Sequence, residues 1–284
     1  MYQYSVCGKN FLSEVKLPLE KSCKINADFS LTTKNSSPKI DFKSENILFK
    51  SDSIFIKSKT SNIFEIKKNN DILVFSPNEK SKNNIWIEFL GIPLGYILRK
   101  NGFNVIHGSS VGYKQSSACI IGLSGQGKST LALGMIKNKF YFITEDLCVI
   151  KDNTIYQISP WVKSTRKVIS NLNSDFVKKI EIKNDSRSRD LFRLNDNNCK
   201  KKSFPKAFYF PVEGKKSIEK MSKVDSFKFL FTNFYRIHNN KTDDLKRIST
   251  LAEEIPCFFF YRDIKDSINA NSNYLSSHFK SLIS

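Results

Sequence analysis

Apolar positions along the chain follow two regimes. Up to about residue 84 they come in short alternating runs: Tyr2-to-Val6, Phe29-Ser-Leu31, Asn46-Ile-Leu-Phe49, Ser53-Ile-Phe-Ile56, Asn62-Ile-Phe-Glu-Ile66 and Asp71-Ile-Leu-Val-Phe75. A period of two sends successive side chains to opposite faces of a strand, so each run predicts a β-strand. Turn residues such as Asn69-Asn-Asp71 and Ser76-Pro-Asn78 separate the runs. Few residues of catalytic type occur here, and residues 1–84 read as a β-rich N-terminal module, a scaffold or a substrate dock. From Asn84 to Lys100 the spacing lengthens, with Ile85, Phe89, Ile92 and Tyr96 at helical intervals. Pro93, which cannot donate a backbone hydrogen bond, must then sit in a first turn or at a kink.

Beyond residue 100 the periods of strand and helix alternate, the order expected of an α/β core. Asn104-to-Val111 and Ala118-to-Ile121 predict a hairpin turning over 112–117, and Thr130-to-Lys137 predicts a helix. Lys139-to-Thr144, Leu147-to-Ile150 and Thr154-to-Ile158 predict strands. Val168, Leu172, Phe176 and Ile180 recur every fourth residue and predict a helix over 164–184, followed by a polar loop over 183–202. Phe204-to-Val212 predicts a strand, 226–237 and 243–254 helices, Pro256-to-Tyr261 a strand and 272–283 a terminal helix.

The 284 residues are 40% hydrophobic and 13% aromatic, the composition of a globular chain rather than a disordered one. No run of eighteen apolar residues occurs, and the N-terminus lacks a basic stretch followed by an apolar one. A cytoplasmic protein without a membrane anchor is expected. Six cysteines without C-x-x-C spacing argue against a zinc site or a disulfide framework. The net charge of +19 invites a nucleic-acid reading. Against it, the lysines are spread through the chain and no helix carries a one-sided basic stripe. An acidic protein or peptide partner is equally compatible with the charge, and self-association stays open.

Candidate chemistry concentrates in Gly122, Leu123, Ser124, Gly125, Gln126, Gly127, Lys128, Ser129 and Thr130. They fit G-x-x-x-x-G-K-[ST], the phosphate-binding P-loop, with a strand entering and a helix leaving. Glycines 122 and 127 let the backbone turn its N–H groups onto phosphate oxygens. Lys128 adds a point charge, the Ser129 hydroxyl can complete Mg²⁺ coordination, and the following helix presents its positive end. ATP with magnesium is the expected cofactor pair. Glu145-Asp146 ends the next strand, close enough in sequence to reach the metal and the γ-phosphate. Arg262-Asp263, after the apolar strand 256–261, is a rival source of the acid.

His107-Gly108, then Gly122-to-Thr130, then Glu145-Asp146 at these spacings resemble the catalytic domain of HPr kinase/phosphorylase. The likeness is greater to related proteins with a β-rich N-terminal module, some of which accompany peptide-tailoring gene sets. Tyr4-to-Gly8 with Ser13-to-Pro18 resembles their opening, and Leu251-to-Pro256 resembles their end. The resemblance implies a P-loop kinase core of the HPr kinase type over 85–284, phosphorylating a serine hydroxyl on a protein or precursor peptide. Lys128 would hold the transferring phosphate, while Ser129, Glu145 and Asp146 would bind Mg²⁺. Asp146 would take the acceptor's proton, and His107 would tune the acids. Bifunctional family members have Asp-Asp where this chain has Glu145-Asp146. The residues alone leave open a small-molecule acceptor, or a nucleotide-binding regulatory or nucleic-acid-binding protein without phosphotransfer.

Overall fold

The computed structural model describes residues 1–24, 26–36, 38–42, 45–172, 175–181, 189–237 and 241–284, with 179–181 as backbone alone. The chain divides into two compact units, 1–103 with Ile237, and 104–236 with 241–284. The helical stretch 85–100, expected to open the second part of the chain, falls in the first unit.

The first unit is built on strands β1 (Tyr2–Val6), β2 (Lys9–Ser13), β3 (Glu20–Lys21), β4 (Phe29–Lys34), β5 (Ile47–Phe49), β6 (Ser53–Lys57), β7 (Ile63–Lys67) and β8 (Ile72–Phe75). They form one eight-stranded sheet in the order β3-β1-β2-β4-β8-β7-β6-β5. Each alternating run of the sequence lies on one of these strands. Three short helices follow, α1 (Glu79–Lys82), α2 (Ile85–Phe89) and α3 (Ile92–Lys100). Pro93 is in the first turn of α3, where a missing N–H costs nothing. Phe11 stacks on Phe29 with centroids 4.6 Å apart and meets Phe89 of α2 at 5.9 Å. The fully buried Asn62 donates to Ser81 O and Glu88 Oε2, both at 2.8 Å, and accepts from Ser76 Oγ at 2.6 Å. Such a satisfied polar group fixes α1 and α2 on the sheet.

The second unit is mixed α/β. Its elements are β9 (Asn104–Tyr113), β10 (Ser116–Ile121), α4 (Lys128–Lys137), β11 (Tyr141–Thr144), β12 (Leu147–Lys151), β13 (Thr154–Tyr156), β14 (Trp161–Ser164), α5 (Arg166–Asn171), β15 (Val177–Glu181), β16 (Asp190–Leu194), β17 (Lys202–Glu213), β18 (Ser217–Lys220), α6 (Lys223–Asn233), α7 (Lys241–Glu254), β19 (Cys257–Arg262) and α8 (Ile268–Ile283). The main sheet runs β10-β9-β12-β13-β17-β19-β18, and β10 also pairs in parallel with β17, closing a ring of pairings. Strands β14, β16 and β15 form a small separate sheet.

The apolar runs of β10, β17 and β19 are buried on both faces. Ala118, Ile120, Ala207, Tyr209, Phe258 and Phe260 join a core that includes α4 and α8, while Cys119, Ile121, Phe208, Phe210 and Cys257 join one that includes α6 and α7. Helices on both sides explain why these strands read as continuous apolar runs rather than alternating ones. Helix α4 is buried at every position from Leu131 to Ile136, as befits a helix enclosed by packing.

The expected helix over 164–184 is only partly formed. Helix α5 stops at Asn171, and Val177–Glu181 is instead a strand paired with β16. A four-residue spacing is also a multiple of two, so Phe176 and Ile180 suit a strand as well as a helix. The expected loop over 183–202 contains β16, whose Leu191, Phe192 and Leu194 are buried; residues 182–188 lie outside the described residues. The turn expected over 112–117 shrinks to Lys114-Gln115, with Lys114 at φ 55°. Helix α6 ends at Asn233, and Phe234 bridges to Ile106. Among the described residues no helix is long and apolar enough to cross a membrane.

Candidate active site

Strand β10 delivers the chain into the loop 122–127, and helix α4 leaves it at Lys128. Gly122, Gly125 and Gly127 all have positive φ, at 153°, 99° and 72°. Gly127 caps α4 in the left-handed region, where a Cβ would be strained. A Cβ there would also come within 2.9 Å of Arg262 Nη1. Inside the loop, Lys128 Nζ donates to Leu123 O at 2.8 Å, and Leu123 N donates to Gln126 Oε1 at 2.6 Å. Both ties use flexible side-chain ends, which can turn to phosphate oxygens with the backbone in place. Leu123, Ser124 and Gly125 are exposed, Lys128 is buried, and Ser129 and Thr130 sit half-buried in the first turn of α4.

The acid pair is produced by a break in a strand. Strands β11 and β12 both run antiparallel to β9, Thr144 facing Ser110 and Leu147 facing His107, and the β11 register shifts by one between Phe142 and Thr144. Glu145 and Asp146 between them are pinched out by a three-residue turn in which Leu147 N donates to Glu145 O at 2.8 Å, with Asp146 at φ 63°. Asp tolerates this left-handed conformation better than most residues, and such local strain clusters at functional sites. The Asp146 carbonyl is held by Gly108 N at 3.2 Å and lies 3.0 Å from His107 Nδ1.

The turn brings the pair to the start of α4. Ser129 Oγ donates to Glu145 Oε1 at 2.5 Å. On the other side stands Lys163 of β14, whose backbone N donates to Glu145 Oε2 at 2.6 Å and whose Nζ pairs with Asp146 Oδ2 at 2.7 Å. Burial, then the adjacent Asp146 carboxylate, push Glu145 up to about 7. Burial works to raise Asp146 as well, but the Lys163 ammonium outweighs it and holds this carboxyl below the usual range. Burial lowers His107, Lys128 lowers it further, and Asp146 opposes both.

Ser129, Glu145, Asp146 and His107 are thus gathered at one end of the loop-bearing helix. Among the described residues no group of three or more His, Cys, Asp or Glu is arranged to hold a metal ion. Magnesium needs fewer protein ligands: one or two carboxylates and a hydroxyl, completed by phosphate oxygens and water. Ser129, Glu145 and Asp146 fit that donor set. No sequence motif marks Lys163, Arg189 or Arg262, which the fold brings near the acid pair or the loop. Arg189 acts on the charges of Asp146 and Lys163. Lys163 carried no motif signal, whereas Arg262 was noticed only as the neighbour of a rival acid. That rival, Asp263, caps Lys265 N through its Oδ1 at 2.9 Å.

No protein-family model matches the sequence, and no curated protein matches it. Among solved structures the chain is similar to the Hpr(Ser) kinase/phosphatase from Coxiella burnetii, over 63% of this chain and 92% of that one. The TM-score is 0.36 and the sequence identity 10%. This is a distant structural relationship, and the chemistry rests on the residues described above.

Proposed function

We propose that the chain is an ATP-dependent phosphotransferase that phosphorylates a hydroxyl, with loop 122–127 as a P-loop and Glu145-Asp146 as the acid pair. The observation that carries this reading is the Ser129–Glu145 hydrogen bond at 2.5 Å. It ties the hydroxyl of the phosphate-binding motif to the acid pair, as a shared metal site requires. Magnesium held by Ser129, Glu145 and Asp146 would neutralise charge on the triphosphate.

Lys128 and the backbone N–H groups of the loop bind and orient the triphosphate, aided by the positive end of α4. Asp146, kept ionised by Lys163, takes the proton from the acceptor hydroxyl. The acceptor oxygen forms its bond to the γ-phosphorus as the bond to the bridging oxygen breaks, and ADP leaves. His107 holds the turn through the Asp146 carbonyl and, on this reading, tunes the acids. A serine on a protein or precursor peptide is the acceptor that the sequence resemblance favours. In this reading the β-rich unit serves as its dock.

The test is transfer of label from γ-labelled ATP to candidate peptides and metabolites. Asp146→Asn, which keeps the size and tolerates the left-handed turn, is expected to lose about 10²- to 10⁴-fold in rate, the usual worth of a general base. Lys128→Ala should weaken or misplace ATP. Transfer at the wild-type rate in Asp146→Asn removes the base assignment, and unchanged turnover in Lys128→Ala removes the loop from the mechanism.

A further inference from the structure

Arg262, the last residue of β19, lies against the glycine-rich loop and makes no ion pair among the described residues. Its guanidinium lies over Gly127: a Cβ built there would fall 2.9 Å from Nη1, 3.3 Å from Cζ and 3.6 Å from Nη2. Its Nε is buried and has no hydrogen-bond partner among the described residues. The acids nearest in sequence are engaged elsewhere, Asp263 with Lys265 N at 2.9 Å and Asp266 with Lys216 Nζ at 2.7 Å. Glu213, opposite Arg262 in the β17–β19 register, makes no ion pair with it among the described residues.

The electrostatics are unfavourable for a purely structural role. Gly127 is the N-cap of the ten-residue helix α4, so the guanidinium stands at the positive end of a macrodipole and close to a loop that also carries Lys128. A cation kept there, with a buried donor unpaired, is stabilised only when an anion arrives between the groups. Strand β19 provides a rigid mount, pairing with β17 through six residues from Cys257 to Arg262. A flat guanidinium can give two parallel hydrogen bonds to phosphate oxygens, which a lysine ammonium cannot.

We infer that Arg262, on the reading that loop 122–127 takes a triphosphate, is a further phosphate-binding residue that clamps the polyphosphate beside the Gly127 end of the loop. It recognises phosphate oxygens rather than base or sugar. Gly127 is therefore glycine for two reasons, its left-handed φ and the guanidinium that covers its α-carbon.

The experiment is calorimetric titration of the full chain with ATP, inorganic tripolyphosphate and adenosine, in wild type, Arg262→Gln, Arg262→Lys and Lys128→Ala. Arg262→Gln is expected to weaken ATP and tripolyphosphate about 10- to 100-fold, the worth of a charge-assisted hydrogen-bonded contact. Adenosine binding should be unchanged, and Arg262→Lys should recover part of the loss. Without ligand, Arg262→Gln should melt at or above the wild-type temperature, because it removes an unpaired cation. If Lys128→Ala weakens tripolyphosphate while Arg262→Gln binds it as wild type does, the role of Arg262 is overturned and the loop reading stands. Wild type that binds neither ATP nor tripolyphosphate overturns both. An equal loss for adenosine, together with a lower ligand-free melting temperature, would assign Arg262 to the fold and overturn the clamp.

Discussion

Adjacent carboxylates at a strand break repel one another, and burial makes the repulsion costlier because water no longer screens it. Lys163 answers that repulsion with both of its donors, the backbone N–H on Glu145 and the ammonium on Asp146. The ammonium holds Asp146 below the usual carboxylate range, while burial and that neighbouring carboxylate drive Glu145 up to about 7 against the pull of Lys163. The paired side chains of Lys163 and Asp146 are 17% and 26% exposed. Removing the cation should therefore cost less than the loss seen when a fully buried pair is broken, about 1–3 kcal/mol. Urea unfolding of Lys163→Met in metal-free buffer measures this. The double variant Lys163→Met/Asp146→Asn should recover most of the loss, because the charge left unpaired is then gone. Equal losses in the single and double variants would mean that the stabilisation does not come from the Lys163–Asp146 pair.

At the scale of elements, the site depends on how closely α4 is held. Gly134 lies in the middle of this helix, and a Cβ there would come 2.6 Å from Ser272 Oγ and 2.7 Å from Ser272 Cβ of α8. Glycine in a helix interior ordinarily costs about 0.5–1 kcal/mol relative to alanine, so the close approach of the two helices must be worth more. Gly134→Ala is expected to destabilise by about 1–3 kcal/mol through overpacking. Ser272→Gly in the same chain should restore most of it, and a denaturant double-mutant cycle without coupling would show that the helices simply move apart. The loop-helix unit and the acid pair were legible because spacing and residue type carry them: glycines, lysine and serine in a fixed string, and two acids at the end of an apolar run. Strands β10, β17 and β19 were legible for the same reason, since burial on both faces writes an unbroken apolar run. The small sheet was not. Strand β15 hides behind a four-residue spacing that fits either period, and β16 is a short apolar run inside a polar stretch. With that sheet unread, nothing pointed to Lys163, whose meeting with Asp146 depends on a tertiary contact that no local pattern encodes. Arg262 escaped for a similar reason, since its approach to Gly127 depends on the β10-β17-β19 pairing order.

Across the whole molecule, the net charge of +19 is partly absorbed by local contacts. Lys280 covers the rings of Tyr113 and Phe140, Lys200 covers Tyr141, and Lys202 covers Tyr156. Such side chains lay their stems on aromatic surface and keep the ammonium near the ring face, a use of lysine that needs no polyanion. The residues proposed to take the triphosphate all belong to the second unit, from Gly122 to Arg262. Ligand linkage should therefore be unequal along the chain. A ligand bound only by the folded state stabilises it by RT ln(1 + [L]/Kd), about 2.7 kcal/mol at a hundredfold excess. Hydrogen exchange of the full chain with ATP and magnesium should show slower exchange over 122–130 and around residues 145–146 and 262, with 1–103 unchanged. Adding a peptide acceptor should then slow exchange in the first unit only if that sheet is the dock. Protection by ATP confined to 1–103, or no protection anywhere at saturating ATP, would place the nucleotide outside the loop and leave the acid pair without a phosphate to act on.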